Sequence, residues 1–304
     1  MFAELSILLH RALEARVRML MAAMADPCWQ QEVERLHDVR VASRRVRAVL
    51  DLVSPELYPG YRRQRRRLKG LTRALGGTRE MDVHSAILEQ LADRVPMLKE
   101  SPGMEHFQEV IEIRRCKARR AMERALSRLN LHHLPQLLEV PSLPDPFRGG
   151  NLPEGIWACL EPWLEGCFPE AALLDEEDVH RLHLMRIRVK RLRYALEVLA
   201  SGFPAAPEAQ VGFLRAYQTA LGDHHDRATL EALALNLHQG LVERHRPALA
   251  AGIQLLVTHL AEEREIAFEQ YRALAVATGR GEFVDGLRRG LGLGGSTGDG
   301  VPGP

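Results

Sequence analysis

The chain has 304 residues, 46% of them hydrophobic and 27% charged, with 41 Lys and Arg against 40 Asp and Glu and a formal net charge of +1. That balance excludes a disordered polyelectrolyte and any partner met through bulk charge alone, and it leaves a globular chain long enough for one large core or two smaller ones. Four cysteines without a Cys-x-x-Cys, and no apolar run of the roughly 18 residues that a membrane span needs, lead us to expect a reducing, cytoplasmic setting without disulfides, thiolate zinc or membrane insertion.

From the N-terminus, apolar residues recur with a 3.6-residue period over 3–25, 30–53, 58–76, 80–95 and 104–130, which predicts helices. Arg11, Glu14, Arg16 and Arg18 interrupt the first apolar stretch, so it does not read as a signal peptide. Residues 141–155 are a Pro- and Gly-rich segment that a helix cannot cross. Beyond it the helical period returns over 154–165, 177–200, 208–221, 226–243, 248–278 and 281–289. Alternating β-branched runs are absent, so the expected fold is all-α. The expected organisation is a first helical-bundle half over 1–140, a linker over 141–155, a second half over 156–289 and a disordered Gly-rich tail over 290–304.

The two halves carry one pattern at a constant offset of 146 residues. His37, Arg40, Arg44, Arg45 and Arg47 pair with His183, Arg186, Lys190, Arg191 and Arg193. Lys69 pairs with Arg215, and Ala74-Leu75-Gly76 with Ala220-Leu221-Gly222; each glycine is predicted to end a helix. Polar turns are predicted to follow, at Gly77-Thr78-Arg79-Glu80 and Asp223-His224-His225-Asp226.

On a helical wheel, His37, Arg40, Arg44 and Arg47 share an arc of about 80° that borders the apolar arc of Leu36, Val39, Val46, Leu50 and Val53. His183, Arg186, Lys190 and Arg193 do the same beside Leu182, Met185, Val189, Leu192, Leu196 and Leu199. A solubilising face ordinarily lies opposite the core, whereas a cationic row beside it belongs at a bundle edge or in a groove. No carboxylate is expected on the arc of either row, so an external anion is expected to offset their repulsion. Phosphate oxygens suit forked guanidinium donors and ammonium point charges. Arg45 and Arg191 fall nearly a quarter-turn away and, with Arg79 and His225, are weaker candidates. Lys69 and Arg215 extend the cationic surface onto the next helix. Arg62, Arg65, Arg66, Arg67 and Arg73 read as a solvated basic face.

These residues resemble the CHAD domain family, named for histidines on an α-helical domain. The first copy is similar to its His-x-x-Arg-Val-x-x-Arg-Arg-x-Arg pattern, at His37, Arg40, Val41, Arg44, Arg45 and Arg47. The second is similar at His183, Arg186, Lys190, Arg191, Arg193, Tyr194 and Glu197, followed by Leu221-Gly222 and Asp226. Glu80 departs from the family's Asp after Arg79. The resemblance spans about residues 1–285. It implies two four-helix bundles related by a pseudo-twofold axis with a basic cavity between them. It also implies inorganic polyphosphate as the partner, polyphosphate granules as the location, and granule proteins as further partners. The family's domain often accompanies a triphosphate-tunnel catalytic domain, for which this sequence has no room, so a stand-alone, non-catalytic binder without cofactor or metal is expected.

Three readings compete. Glu34-x-x-His37 and Glu177-x-x-His180 have the spacing of di-iron bundle sites, but they are not repeat-equivalent, and Arg40 shares the face of His37. His224-His225-Asp226 suggests a metal-dependent phosphohydrolase, without a placed partner His and Asp. RNA or another nucleic-acid backbone is the non-enzymatic alternative, disfavoured because aromatics are not interleaved with the cations. Trp29, Trp157 and Trp163 read as packing residues, and His106, His132, His133 and His259 as surface or satisfied core groups.

Overall fold

The computed structural model describes residues 3–52, 59–129, 131–137, 151–168 and 178–293. Among the described residues every regular element is a helix. α1 (Ala3–Ala25) buries Leu5, Leu9, Leu13, Val17 and Leu20, successive points on one helical face, and packs on α2 (Val33–Leu52). α3 (Pro59–Ala74) runs almost directly into α4 (Gly76–Arg94), with only Leu75 between them. α5 (Pro96–Lys99) is a single turn. α6 (Pro102–Leu126) starts where the Ser101 side chain accepts from Met104 N at 3.1 Å, with Pro102 pre-set for the first turn.

A 3₁₀ segment (Leu131–Leu137) follows, then α7 (Leu152–Leu164), opened by a reciprocal cap between Asn151 and Glu154. α8 (Val179–Leu199) is capped by Asp178, whose carboxylate accepts from Arg181 N at 3.1 Å. α9 (Glu208–Glu243), α10 (Pro247–Ala277) and α11 (Arg280–Gly290) complete the chain. α9 and α10 form a long hairpin closed at His245, which takes a left-handed φ of 54° while Arg246 N donates to Leu241 O at 3.0 Å.

The predicted helices at 208–221 and 226–243 are one helix, and neither glycine ends one. Gly222 lies inside α9, and Gly76 is the first residue of α4, after Leu75 at φ −77° and ψ −8°. Among the described residues only Gly166 and Gly292 are glycines with the positive φ of a left-handed cap. An internal glycine costs a helix roughly 1 kcal/mol, which burial of Ala220, Leu221 and His224 around it offsets. The polar sets after each glycine are helical too, not turns. Asp223 O and His225 O accept side-chain hydrogen bonds from Arg227 and Thr229, one turn further along α9.

Buried apolar residues form two clusters. One gathers α1, α2, α3, the end of α6, α7, α8, the first part of α9, the end of α10 and α11. The other joins α4, α5 and the start of α6 to the second part of α9 and the start of α10. Both therefore draw on each side of the Pro- and Gly-rich segment. Its residues 141–150 lie outside those described, while 151–155 cap and open α7. At the other end the packed chain runs past Gly290: Leu291 is buried and Leu293 N donates to Arg288 O at 2.8 Å, so the expected tail does not start there. Residues 294–304 lie outside the described set.

Candidate functional site

α2 and α8 pack against one another, and the duplicated residues meet where they do. Arg40 is pressed by Arg44 and Arg186, and also by Arg79 of α4; burial first and these charges second push its guanidinium down to about 10. Arg44 is lowered by burial, with Arg186 and Arg193 opposing its charge and a hydrogen bond to Tyr194 favouring it. Arg47 is lowered by burial too, with Arg65, Arg44 and Arg191 adding repulsion and Asp51 opposing it. Lys190 is the extreme case. Burial, then Arg44, Arg186 and Arg40, push its amine down to about 6, against a weaker pull from Asp226.

The histidines extend the cluster. Burial and then Arg79 lower His37; burial, Arg186 and Lys190 lower His183. His225 of α9 stands with its ring centroid 4.3 Å from that of His183, and burial with Arg186 pushes it down to about 4. Arg186 crosses Gly222, where an added Cβ would sit 3.4 Å from its Nη2; the glycine leaves room for the guanidinium.

Carboxylates sit at the margins. Arg186 pairs with Asp226 at 3.3 Å, Arg193 with Glu197 at 2.5 Å, and Arg65 with Asp51. Asp51 and Glu197 are repeat-equivalent, one turn past Arg47 and Arg193. The cationic row thus ends in a carboxylate on its own arc, which extending the sequence comparison by four residues reveals. Among the described residues none lies within ion-pair distance of Arg40, Arg44, Arg47 or Lys190. Arg40 Nε, Arg47 Nε and Arg186 Nε, with the Nδ1 atoms of His37, His183 and His225, are buried without a hydrogen-bond partner among the described residues. Buried donors are ordinarily paired, so this concentration in one place is the feature to explain.

A cavity of about 410 Å³ opens beside the cluster, lined from α2 by Arg44, Arg47, Ala48 and Asp51, from α3 by Arg65 and Thr72, from α7 by Trp163, and from α8 by Ile187, Lys190, Arg191 and Tyr194. Of the weaker candidates, Arg191 joins it, its guanidinium 4.4 Å from the centre of the Trp163 ring. Arg45 turns instead toward α1, where it faces Arg16. Arg79 and His225 join the cluster through Arg40 and His183. Lys69 is exposed, one turn from both Arg65 and Thr72 on α3. Arg215 is exposed, one turn before Gln218 of α9, which accepts from Arg193 Nε at 3.0 Å.

Arg65 belongs to the cavity and not merely to a solvated basic face. Trp163 packs on the core and also lines the cavity. Neither placement has a local sequence signal, because each depends on which helix lies alongside. Trp29 is buried in the core, and Arg288 lies 5.1 Å from the centre of the Trp157 ring.

Among the described residues the competing sites do not assemble. Glu34 is exposed while His37 faces Arg79 and Arg40; His180 is exposed, and Glu177 lies outside the described residues. Along α9, His224 turns into the core near Phe268, His225 toward His183 and Asp226 toward Arg186, as neighbours roughly 100° apart on a helix must. Among the described residues no three His, Cys, Asp or Glu side chains are grouped to hold a metal ion. No described helix is long and apolar enough to cross a membrane.

A family model described as the CHAD domain matches residues 11–235. The chain is similar in structure to a CHAD domain from the plant Ricinus communis, with 22% identity, 94% of this chain and 90% of that one covered, and a TM-score of 0.61. It is likewise similar to PptA from Streptomyces chartreusis, at 20% identity, covering 88% of this chain and 97% of that one, with a TM-score of 0.63. No curated protein matches it.

Proposed function

From a chain that belongs to the CHAD domain family, we propose a non-catalytic binder of inorganic polyphosphate, held in the basic cavity and associated with polyphosphate granules. The observation that carries this reading is the meeting of two half-buried cationic rows in which, among the described residues, no carboxylate lies within ion-pair distance of Arg40, Arg44, Arg47 or Lys190. A polyanion lying in the cavity beside α2 and α8 supplies the negative charge that these four cations lack. We assign the phosphate contacts to His37, Arg40, Arg44, Arg47, His183, Arg186, Lys190 and Arg193. Arg79, Arg191 and His225 flank them, and Lys69 and Arg215 guide the chain outside. Binding consists of distributed neutralisation by forked and point-charge donors, with no bond made or broken.

The test is competition between long-chain polyphosphate and single-stranded RNA for the purified protein. Polyphosphate is expected to displace RNA. RNA displacing polyphosphate at equal phosphate concentration would hand the site to the nucleic-acid alternative.

Binding is also expected to take up protons. In the free protein, protonation of Lys190, His183, His37 and His225 is disfavoured by burial and by neighbouring cations, so near neutral pH these groups hold fewer protons than usual. A bound polyanion reverses the sign of the local field and raises each value. Protons then enter on binding, and affinity rises as pH falls from about 8 to about 6, up to tenfold per unit for each proton taken up. Calorimetry in two buffers of different ionisation enthalpy reads the proton count, and Lys190→Met should reduce it. Heats independent of buffer would refute the coupling.

A further inference from the structure

Resting on the polyphosphate reading, we propose that the cavity between α2, α3, α7 and α8 also takes a nucleoside oligophosphate. Its phosphates would lie on Arg44, Arg47 and Lys190, and its base against the Trp163 side. The cavity holds more than a bare phosphate chain uses. Such a chain is hydrated and charged at every unit and gains nothing from apolar walls. Yet Trp163, Ala48 and Ile187 line the same cavity as the cations, and Ile187 is 42% exposed there, so the cavity has an apolar wall open to a ligand.

Three further features point to an organic head group. The Arg191 guanidinium lies over the Trp163 ring, 4.4 Å from its centre, and Arg191 is exposed, so the indole backs a planar cation whose outer face is open for a nucleobase to stack on. Asp51 lines the cavity although a carboxylate repels phosphate. Arg65 occupies only part of its acceptor capacity, and the remainder suits sugar hydroxyls or a base amino group. The volume of about 410 Å³ is within the range of pockets that enclose one small molecule.

The experiment compares metal-free ATP with inorganic tripolyphosphate on the full chain, with long-chain polyphosphate as reference. Tripolyphosphate carries at least as much charge, so charge alone ranks it equal to or above ATP. Stacking of the base is expected to reverse that order by on the order of tenfold. Trp163→Leu should then remove most of the preference, lowering ATP affinity more than tripolyphosphate affinity, with helicity followed by circular dichroism. Should that variant not fold, Ile187→Ala serves in its place, with the preference expected to shrink severalfold.

Tripolyphosphate binding as tightly as ATP, with long chains still bound, would overturn the nucleotide assignment and leave polyphosphate binding standing. A preference that survives in folded Trp163→Leu would overturn the placement of the base. Failure of all three ligands to bind would overturn both readings together.

Discussion

Replacing Arg40 and Arg186 together by alanine is expected to lower polyphosphate affinity by on the order of 3–6 kcal/mol, two to four orders of magnitude, while the protein stays folded. These two guanidinium groups are repeat-equivalent and close enough to oppose each other's charge. Each keeps a buried Nε without a partner among the described residues, so neither guanidinium is saturated by the protein's own acceptors. A charge-assisted hydrogen bond is worth about 1.5–3 kcal/mol, and two lost from one site add to the figure above.

Stability should move little or rise. Arg40 has no carboxylate within ion-pair distance among the described residues, and its loss relieves Arg44 and Lys190 of a repelling neighbour. Arg186 gives up one contact, to Asp226, whose side chain is 28% exposed and stays solvated. The Lys-for-Arg double variant keeps the charges and loses the forks, and it should retain only part of the affinity. Isothermal titration of the folded variants decides the matter: a double alanine protein that binds within about threefold of the parent would remove these residues from the contact.

The second large effect is that of salt. With Arg193 already neutralised by Glu197 at 2.5 Å, phosphates met by Arg40, Arg44, Arg47, Arg186 and Lys190 exchange about five counterions' worth of charge on binding. The logarithm of affinity should then fall with the logarithm of salt at a slope of about −3.5, roughly a hundredfold between 50 and 200 mM. The double alanine variant should flatten the slope by about 1.4. A slope near −1 would mean that a single end phosphate is held at the surface and that the facing rows are not both engaged.

Much of the candidate site can be read in the residues before any fold is known. The positions of His37, Arg40, Arg44 and Arg47 on one arc, and of their counterparts on another, follow from helical geometry alone. So does the adjacency of each row to buried Leu36, Val39 and Val46, or to Leu182, Met185 and Val189. The glycines depart from the local pattern. Leu-Gly followed by polar residues is a common way to stop a helix, yet Gly222 sits mid-helix under the Arg186 guanidinium. Whether a glycine caps or merely makes room depends on what packs against it. Arg45 and Arg191 diverge for a similar reason: both leave the main arc, but α1 presents Arg16 to one and α7 presents Trp163 to the other.

Helical character, the duplicated cationic rows and their place beside the core stripe are thus legible from residue order, because the spacing of side chains around a helix is a local property. That the rows converge, that burial and neighbouring cations push the Lys190 amine down, and that Trp163, Thr72, Arg65 and Asp51 share a cavity with them follow only from the packing of α2, α3, α7 and α8. Burial and the field of distant charges depend on which helices lie together, and no periodicity within a single helix encodes that.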